Sequence, residues 1–510
     1  MLCLSPRTFC TTFVLCLPAT GALADLTAAE VWDDWKSYMA SAGYELSLTE
    51  TRGAGEITLS DLTMRTALGE DAGDGVVDID FGTVRFVEQG DGTVAIELTP
   101  QNEIAMEFAP EEGETVNVTV SYTQTDHSMI ASGDPSALTY SYDAAAIAMS
   151  LSSLTVDGTP IGQDVAKFDI TMTDVAYVTE TGVDVVRSIA QTMSAAGLGY
   201  DLRFADPEGE GSVDLKGAMQ GVAFAGAGAL PLDTDTQDLN AMLNDGFAFG
   251  GTFSAASGNY DMSFSGPDGA GTVNSTSQGA ELEVAMGPEG LTYDVLQRDV
   301  AMNVLMTEFP LPLSFSAAEI GTGIQMPLQK SPDEQGFGLV VTLRDFAVSD
   351  MIWGLVDPQG QLPRDPATLV VDLSGTAKVL FDFLDPAQAT VLEQTGAMPG
   401  ELNTLSLNAL TLDVAGAKLT GSGDFTFDNS DLTTFDGVPR PEGALDLSLV
   451  GGNGLLDKLV NMGLVPQDQA MGARMMMGLF AVPGAGADTL NSKIEVNGEG
   501  HVLANGQRIR

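Results

Sequence analysis

Leu405-Ser406-Leu407-Asn408-Ala409-Leu410-Thr411-Leu412-Asp413-Val414 runs on into Gly416-Ala417-Lys418-Leu419-Thr420-Gly421-Ser422-Gly423-Asp424-Phe425-Thr426-Phe427. Apolar and polar side chains alternate on both sides of the turn. That is the period-two pattern of a β-hairpin with one apolar face. The pattern recurs upstream at Val76-Val77-Asp78-Ile79-Asp80-Phe81, Val84-Arg85-Phe86-Val87, Val94-Ala95-Ile96-Glu97-Leu98 and Val116-Asn117-Val118-Thr119-Val120. Ile57, Leu59, Leu62 and Met64 belong to further short strands. Asp74-Gly75 and Asp91-Gly92 mark tight turns between such runs. With 58 Gly and only 7% aromatics in 510 residues, the chain reads as mainly β with short helices (α+β). Gly226-Ala227-Gly228 and the glycines from Gly266 to Gly271 read as turns.

Helices interrupt the strands. Thr27 and Glu30 have capping-box spacing. Val31, Trp32, Trp35, Tyr38, Met39 and Ala42 follow at helical spacing, and Gly43 is placed to end the helix. A second helix is expected over Val183 to Ala196, ending at Gly197. A third begins near Ser349 with Asp350 to Leu355. Leu455 to Met462 and Gln467 to Phe480 make two more. Ile494-Glu495-Val496, Asn497-Gly498, His501-Val502-Leu503 and Asn505-Gly506 then close the chain as a hairpin.

These elements suggest repetition. Val31, Met39, Ala42 and Gly43 recur as Val185, Met193, Ala196 and Gly197 at an offset of 154, and Leu138-Thr139-Tyr140 recurs as Leu291-Thr292-Tyr293 at 153. The expected organisation is a signal peptide over 1–24, a first helix-plus-antiparallel-meander unit over 25–180, and a diverged copy over 181–330. A C-terminal β unit with two short helices and a closing hairpin then spans 331–510. Such units would form curved sheets.

The first 24 residues give the compartment. Arg7 precedes an apolar run from Phe13 to Leu17, and Ala22 and Ala24 form a small-residue exit. Cleavage is expected after Ala24, with export to a periplasm. Cys3, Cys10 and Cys16 are the chain's three cysteines, so the remainder would carry none. No later segment reaches the roughly 20 apolar residues of a membrane-spanning helix.

Removal of residues 1–24 takes Arg7 and leaves 20 Lys+Arg against 71 Asp+Glu, a net charge of −51. Nucleic acid is excluded as a partner on that ground. The chemistry available is sparse. Without cysteine there is no thiol nucleophile and no thiolate zinc site. His127 and His501 are the only histidines, and no Gly-x-Ser-x-Gly elbow lies between a strand and a helix. No phosphate loop or dinucleotide fingerprint occurs. Asp71, Asp74, Asp78 and Asp80 cluster, as do Asp233, Asp235 and Asp238, but neither group fits a calcium loop. They read as solvated turn carboxylates. No catalytic, cofactor-binding or metal-binding residue is assigned. Met475-Met476-Met477, with Leu479 and Phe480, is the one local apolar oddity. It reads as core filling, or as a greasy surface that meets lipid or a partner.

The Trp-containing opening helix, Trp353-Gly354-Leu355-Val356-Asp357-Pro358, Leu362-Pro363-Arg364-Asp365-Pro366-Ala367-Thr368-Leu369 and Val502-Leu503-Ala504-Asn505-Gly506 together resemble the domain of unknown function 2125 family, exported alphaproteobacterial proteins. The resemblance implies a Gram-negative periplasm and no known activity. The strand–Gly–strand pattern around Leu405 to Phe427 is more loosely similar to AsmA-like envelope proteins, which are associated with lipid handling. The expected function is a non-enzymatic envelope binding or structural protein whose sheet offers an apolar groove to a lipid-like ligand or a protein partner. A carboxylate-based hydrolase and a cation-binding acidic surface protein are the alternatives.

Overall fold

The structure is a computed structural model. It describes residues 25–510 apart from 42, 68–74, 110–113, 208, 210, 233–237, 310, 386–387, 389–393 and 395–397. The expected signal peptide with its three cysteines, Ala42, Asp71, Asp74, Asp233 and Asp235 lie outside the described residues.

Helix α1 (Ala28–Ser41) opens this part of the chain. Its capping box forms as spaced: Thr27 N donates to Glu30 Oε2 at 2.9 Å and Glu30 N to Thr27 Oγ1 at 3.3 Å. Gly43, at φ +78°, takes the left-handed exit.

The strands that follow form one antiparallel sheet. Strands β1 (Glu45–Gly53), β2 (Glu56–Ala67) and β3 (Val76–Glu88) pair in succession. Two half-length strands follow. β4 (Val94–Glu97) and β5 (Gln101–Phe108) pair with opposite halves of β3. β6 (Val116–Thr125) and β7 (Ser128–Asp134) return beside β5 and β4, and β8 (Ala137–Val156) spans both. After the short β9 (Thr159–Pro160), three long strands succeed one another: β10 (Ala166–Val183), β11 (Val186–Ala205) and β12 (Ser212–Pro231). Helix α2 (Leu239–Asn244) leads to β13 (Ala248–Ala255), β14 (Ser257–Gly266), β15 (Gly269–Ser277), β16 (Ala280–Gly287) and β17 (Gly290–Met306). Their pairing scheme, long–half–half–long, is that of β3 to β8.

The meander continues through β18 (Leu313–Met326), β19 (Gln335–Val348), helix α3 (Asp350–Val356), β20 (Ala367–Val379), β21 (Gly400–Val414), β22 (Ala417–Asp428) and β23 (Arg440–Val450). Helices α4 (Gly452–Asn461) and α5 (Gln467–Phe480) interrupt it. β24 (Val482–Pro483), β25 (Thr489–Val496), β26 (Val502–Ala504) and β27 (Gln507–Arg508) finish it. The sheet runs unbroken across 180/181 and 330/331 through the β10–β11 and β18–β19 ladders. No helix of the described residues is long and apolar enough to cross a membrane.

Two expectations fail here. Val183 to Ala196 is not a helix: Val183 ends β10, and Val186 onward is β11, paired on both sides along its length. The expected copy over 181–330 therefore does not open with a helix. The segment's Ala, Met and Ser support either conformation locally, and two flanking strands decide it. Gly226 and Gly228 are not turn residues either. They lie inside β12, opposite Gly251 and Phe249.

The in/out alternation slips by one residue part-way along most long strands. In β2, Ile57 and Leu59 are buried, then Leu62 and Met64. Asp61 sits in the slip at φ +54°. The same arrangement recurs at Asp174 (φ +49°), Gly221 (φ +58°), Asp299 (φ +48°) and Asp345 (φ +51°). Only Gly, and Asp or Asn at modest cost, enter this left-handed region readily. Each is followed by an apolar residue: Leu62, Val175, Val222, Val300 and Phe346. Neighbouring strands slip at the same level, so the sheet is creased along a line. Ala144, Val175, Ala195, Val222 and Ala255 are buried along that line as one cluster, and apolar residues of both limbs pack onto it. Small side chains fit there because the limbs converge on them. The hairpin β21–β22 crosses the same line, with a bulge between Leu407 and Leu410.

Candidate functional site

Strict register carries one face across the sheet. From β8 to β17 the directly opposed residues are Tyr140, Thr179, Gln191, Gly226, Gly251, Val284 and Tyr293. From β18 to β25 they are Ile324, Leu339, Leu373, Leu407, Gly423, Leu445 and Ile494. The adjacent row on the opposite face reads Ser374, Ser406, Asp424, Ala444 and Glu495. There Ser406 Oγ donates to Asp424 Oδ1 at 2.7 Å. The sheet is thus apolar inside the crease and polar outside it, with Asp61, Asp174, Asp299 and Asp345 exposed on the outer ridge.

Both ends of the apolar face are covered. At the N-terminal end α1 lays Val31, Trp32 and Trp35 on Leu59, Phe86, Val94, Leu138 and Tyr140. Trp35 meets Phe86 edge-on, with ring centroids 5.2 Å apart. A buried ion pair fixes the helix: Arg187 Nη1 lies 2.8 Å from Asp34 Oδ1, and the Tyr140 hydroxyl donates to Asp34 Oδ2 at 2.7 Å. Burial first, then the Asp34 carboxylate, pushes the Tyr140 phenol up, so it stays a donor. At the C-terminal end α5 rests over Leu419, Leu447, Leu449 and Leu490, enclosing a recess of 270 Å³.

Between these ends the face is open. A recess of 550 Å³ lies on β11, β12, β13 and β16, walled by Tyr38, Ile189, Phe224, Phe247, Phe249 and Leu282. None of its lining residues is charged, and Gln191 and Tyr38 supply its polar side-chain atoms. Its floor is glycine for a steric reason. A Cβ on Gly226 would stand 2.7 Å from Phe224 Cζ, and one on Gly251 2.8 Å from Phe224 Cε2. The Phe224 ring therefore lies flat along the sheet. Phe264 over Gly271 and Phe337 over Gly375 repeat the device.

Two other recesses are of different character. One of 590 Å³ lies among turns at strand ends and carries Asp206, Asp268 and Glu308. One of 530 Å³ lies on the polar face among Asn408, Thr420, Ser422, Asp446 and Lys493.

The residues weighed from sequence occupy ordinary places. His127 Nε2 lies 3.2 Å from the Leu98 carbonyl and its ring stacks on Tyr142. His501 Nδ1 lies 3.1 Å from Glu499. Asp78 pairs with Arg65 at 3.2 Å, Asp80 accepts from Gly82 N at 2.8 Å, and Asp238 caps α2 through Ala241 N at 2.9 Å. Among the described residues no three His, Cys, Asp or Glu side chains are placed to hold a metal ion. Ser349 occupies the N-cap position of α3 without a side-chain cap bond. Asp357 is buried, and its carboxylate closes the following loop by accepting from Leu362 N at 2.7 Å, which holds it below the usual carboxylate range. Asp294 is pushed upward by burial and then by Glu281.

These features define a class: a single open antiparallel sheet, creased lengthwise, with an apolar inner face capped by helices. Residues 251–498 match the model of a family described as "Uncharacterized protein conserved in bacteria (DUF2125)". No curated protein matches the chain. Among solved structures, the crystal structure of the ferric citrate transporter FecA in the unliganded form aligns over 91% of this chain and 76% of its own. Identity there is 9% and the TM-score 0.15, a likeness too slight to carry an argument.

Proposed function

We propose that the protein is a non-catalytic binding protein of the bacterial cell envelope, holding a lipid-like apolar ligand along the inner face of its sheet. The observation that carries this reading is the uncharged recess on β11, β12, β13 and β16, continuous by register with the apolar rows of β17 to β25. Apolar side chains left half-exposed over so many strands favour an apolar occupant, at about 25 cal/mol for each Å² covered. Phe and Leu side chains lying flat over glycines give a smooth floor without fixed polar contacts. Such a floor suits chains that are held by area rather than by headgroup chemistry. Residues 1–24 supply export in this reading.

The test is lipid extraction and mass spectrometry on protein purified from its own bacterium without detergent. A stoichiometric apolar ligand is the expected result. Protein recovered empty, and unable to take up a fluorescent fatty acid, would overturn the reading.

A further inference from the structure

We infer that α5 docks on a zwitterionic lipid layer through its outward face. After a polar first turn of Gln467, Asp468 and Gln469, the helix carries one charged residue, Arg474, and is apolar on two opposite sides. Ala470, Met477 and Phe480 face the sheet, while Met471, Met475 and Leu479, spaced one turn apart, are 66, 72 and 58% exposed. A helix with apolar residues on two opposite sides is normally covered on both. Here the outward side has no cover among the described residues.

Charge selects the occupant. Residues 452–480 carry Asp457, Lys458, Asp468 and Arg474, a balance of zero in a chain of net −50. Arg474 is already paired with Asp457 at 2.5 Å. A second copy would bring another net charge of −50 to the contact, and self-repulsion opposes it. A basic protein would be drawn to the acidic remainder of the surface rather than to this neutral patch. A neutral lipid surface needs no countercharge, and flexible methionines adapt to its fluid interior. The patch also adjoins the inner face, because the 270 Å³ recess beneath Met476, Met477 and Phe480 opens on Leu447 and Leu449. The inference goes beyond the proposed ligand and does not need it: a protein with an empty inner face would still dock.

The experiment is flotation of the whole chain with phosphatidylcholine vesicles at physiological salt. Wild type floats with the vesicles, and adding phosphatidylglycerol lowers the bound fraction. The M471Q/M475Q/L479Q variant loses binding by at least about tenfold while keeping its circular dichroism spectrum. An M471L/M475L variant binds as wild type and guards against a misfolded Gln variant. Wild type left at the bottom of the gradient, or a Gln variant floating equally well, overturns the inference. So does light scattering that shows a wild-type dimer and a monomeric Gln variant, which would make the patch a self-association face.

Discussion

Arg187 on β11 and Asp34 on α1 form a salt bridge of 2.8 Å with side chains only 3 and 9% exposed. The residues are 153 apart in sequence, and the pair fixes α1 on the sheet beside the 550 Å³ recess that Tyr38 helps to wall. Removing one partner leaves a buried charge unmatched. Asp34→Ala and Arg187→Ala are each expected to cost about 3–5 kcal/mol. The double change Asp34→Leu with Arg187→Met is expected to recover most of that loss, read from urea unfolding midpoints. Equal loss in the double variant would show that the pair's worth lies elsewhere.

Gly226→Val places a branched side chain where the Phe224 ring lies. The ring must lift, and the recess fills. Overpacking of this kind costs about 1–3 kcal/mol. Uptake of a fluorescent fatty acid is expected to fall sharply in this variant. Gly336→Ala, at a position where a Cβ meets nothing within 4 Å, serves as the control and should bind as wild type.

The crease makes its own prediction at Asp174, exposed and at φ +49°. Asp174→Gly keeps the left-handed conformation accessible and should leave the unfolding midpoint nearly unchanged. Asp174→Val should lose about 1–2 kcal/mol from backbone strain alone. A Val variant as stable as the Gly variant would remove the conformational explanation for the slip.

Acid should act through Asp431. The Thr434 hydroxyl, donating at 2.8 Å, and then the Thr434 and Thr433 amides hold its carboxyl down at about 2, below the ordinary 3.8. A folded-state value below the unfolded one means stabilisation that is complete above about pH 4 and is lost as pH falls towards 2. Asp428 and Asp488 shift the same way. Asp431→Asn should therefore flatten the fall in urea midpoint between pH 5 and pH 2.5. An unchanged slope would assign the acid sensitivity to the other carboxylates.

The mainly β class, the capping box at Thr27 and Glu30, and the Leu405–Phe427 hairpin were legible because they are local patterns with a single reading. Val183 to Ala196 was not, because its apolar residues fit both periods and the decision belongs to β10 and β12. The crease has a sequence signal, though a subtle one. Ile57-x-Leu59-x-Asp61-Leu62-x-Met64 and Ile170-x-Met172-x-Asp174-Val175-x-Tyr177 share it, as do Val341-x-Leu343-x-Asp345-Phe346-x-Val348 and its relatives. Read strand by strand, each looks like two short runs joined by a turn. Only alignment of the slips across strands turns them into one line. The glycine floor was hidden for a similar reason: nothing near Gly251 in sequence says that Phe224 lies across it.

Main-chain pairing in this sheet joins strands that are close in sequence, from β1–β2 to β26–β27. Most steps of assembly therefore need no long loop to close before the next contact is gained, the β23–β25 ladder across residues 451–488 being the longest step, and loop-closure entropy stays low at the hairpins. Order can advance as a front, each hairpin zipping onto the edge left by the one before, as in a stack of repeats. The newest edge is always the sticky one, with unsatisfied amides facing water. A nascent chain emerging N-terminus first would present that edge only to its own next strand.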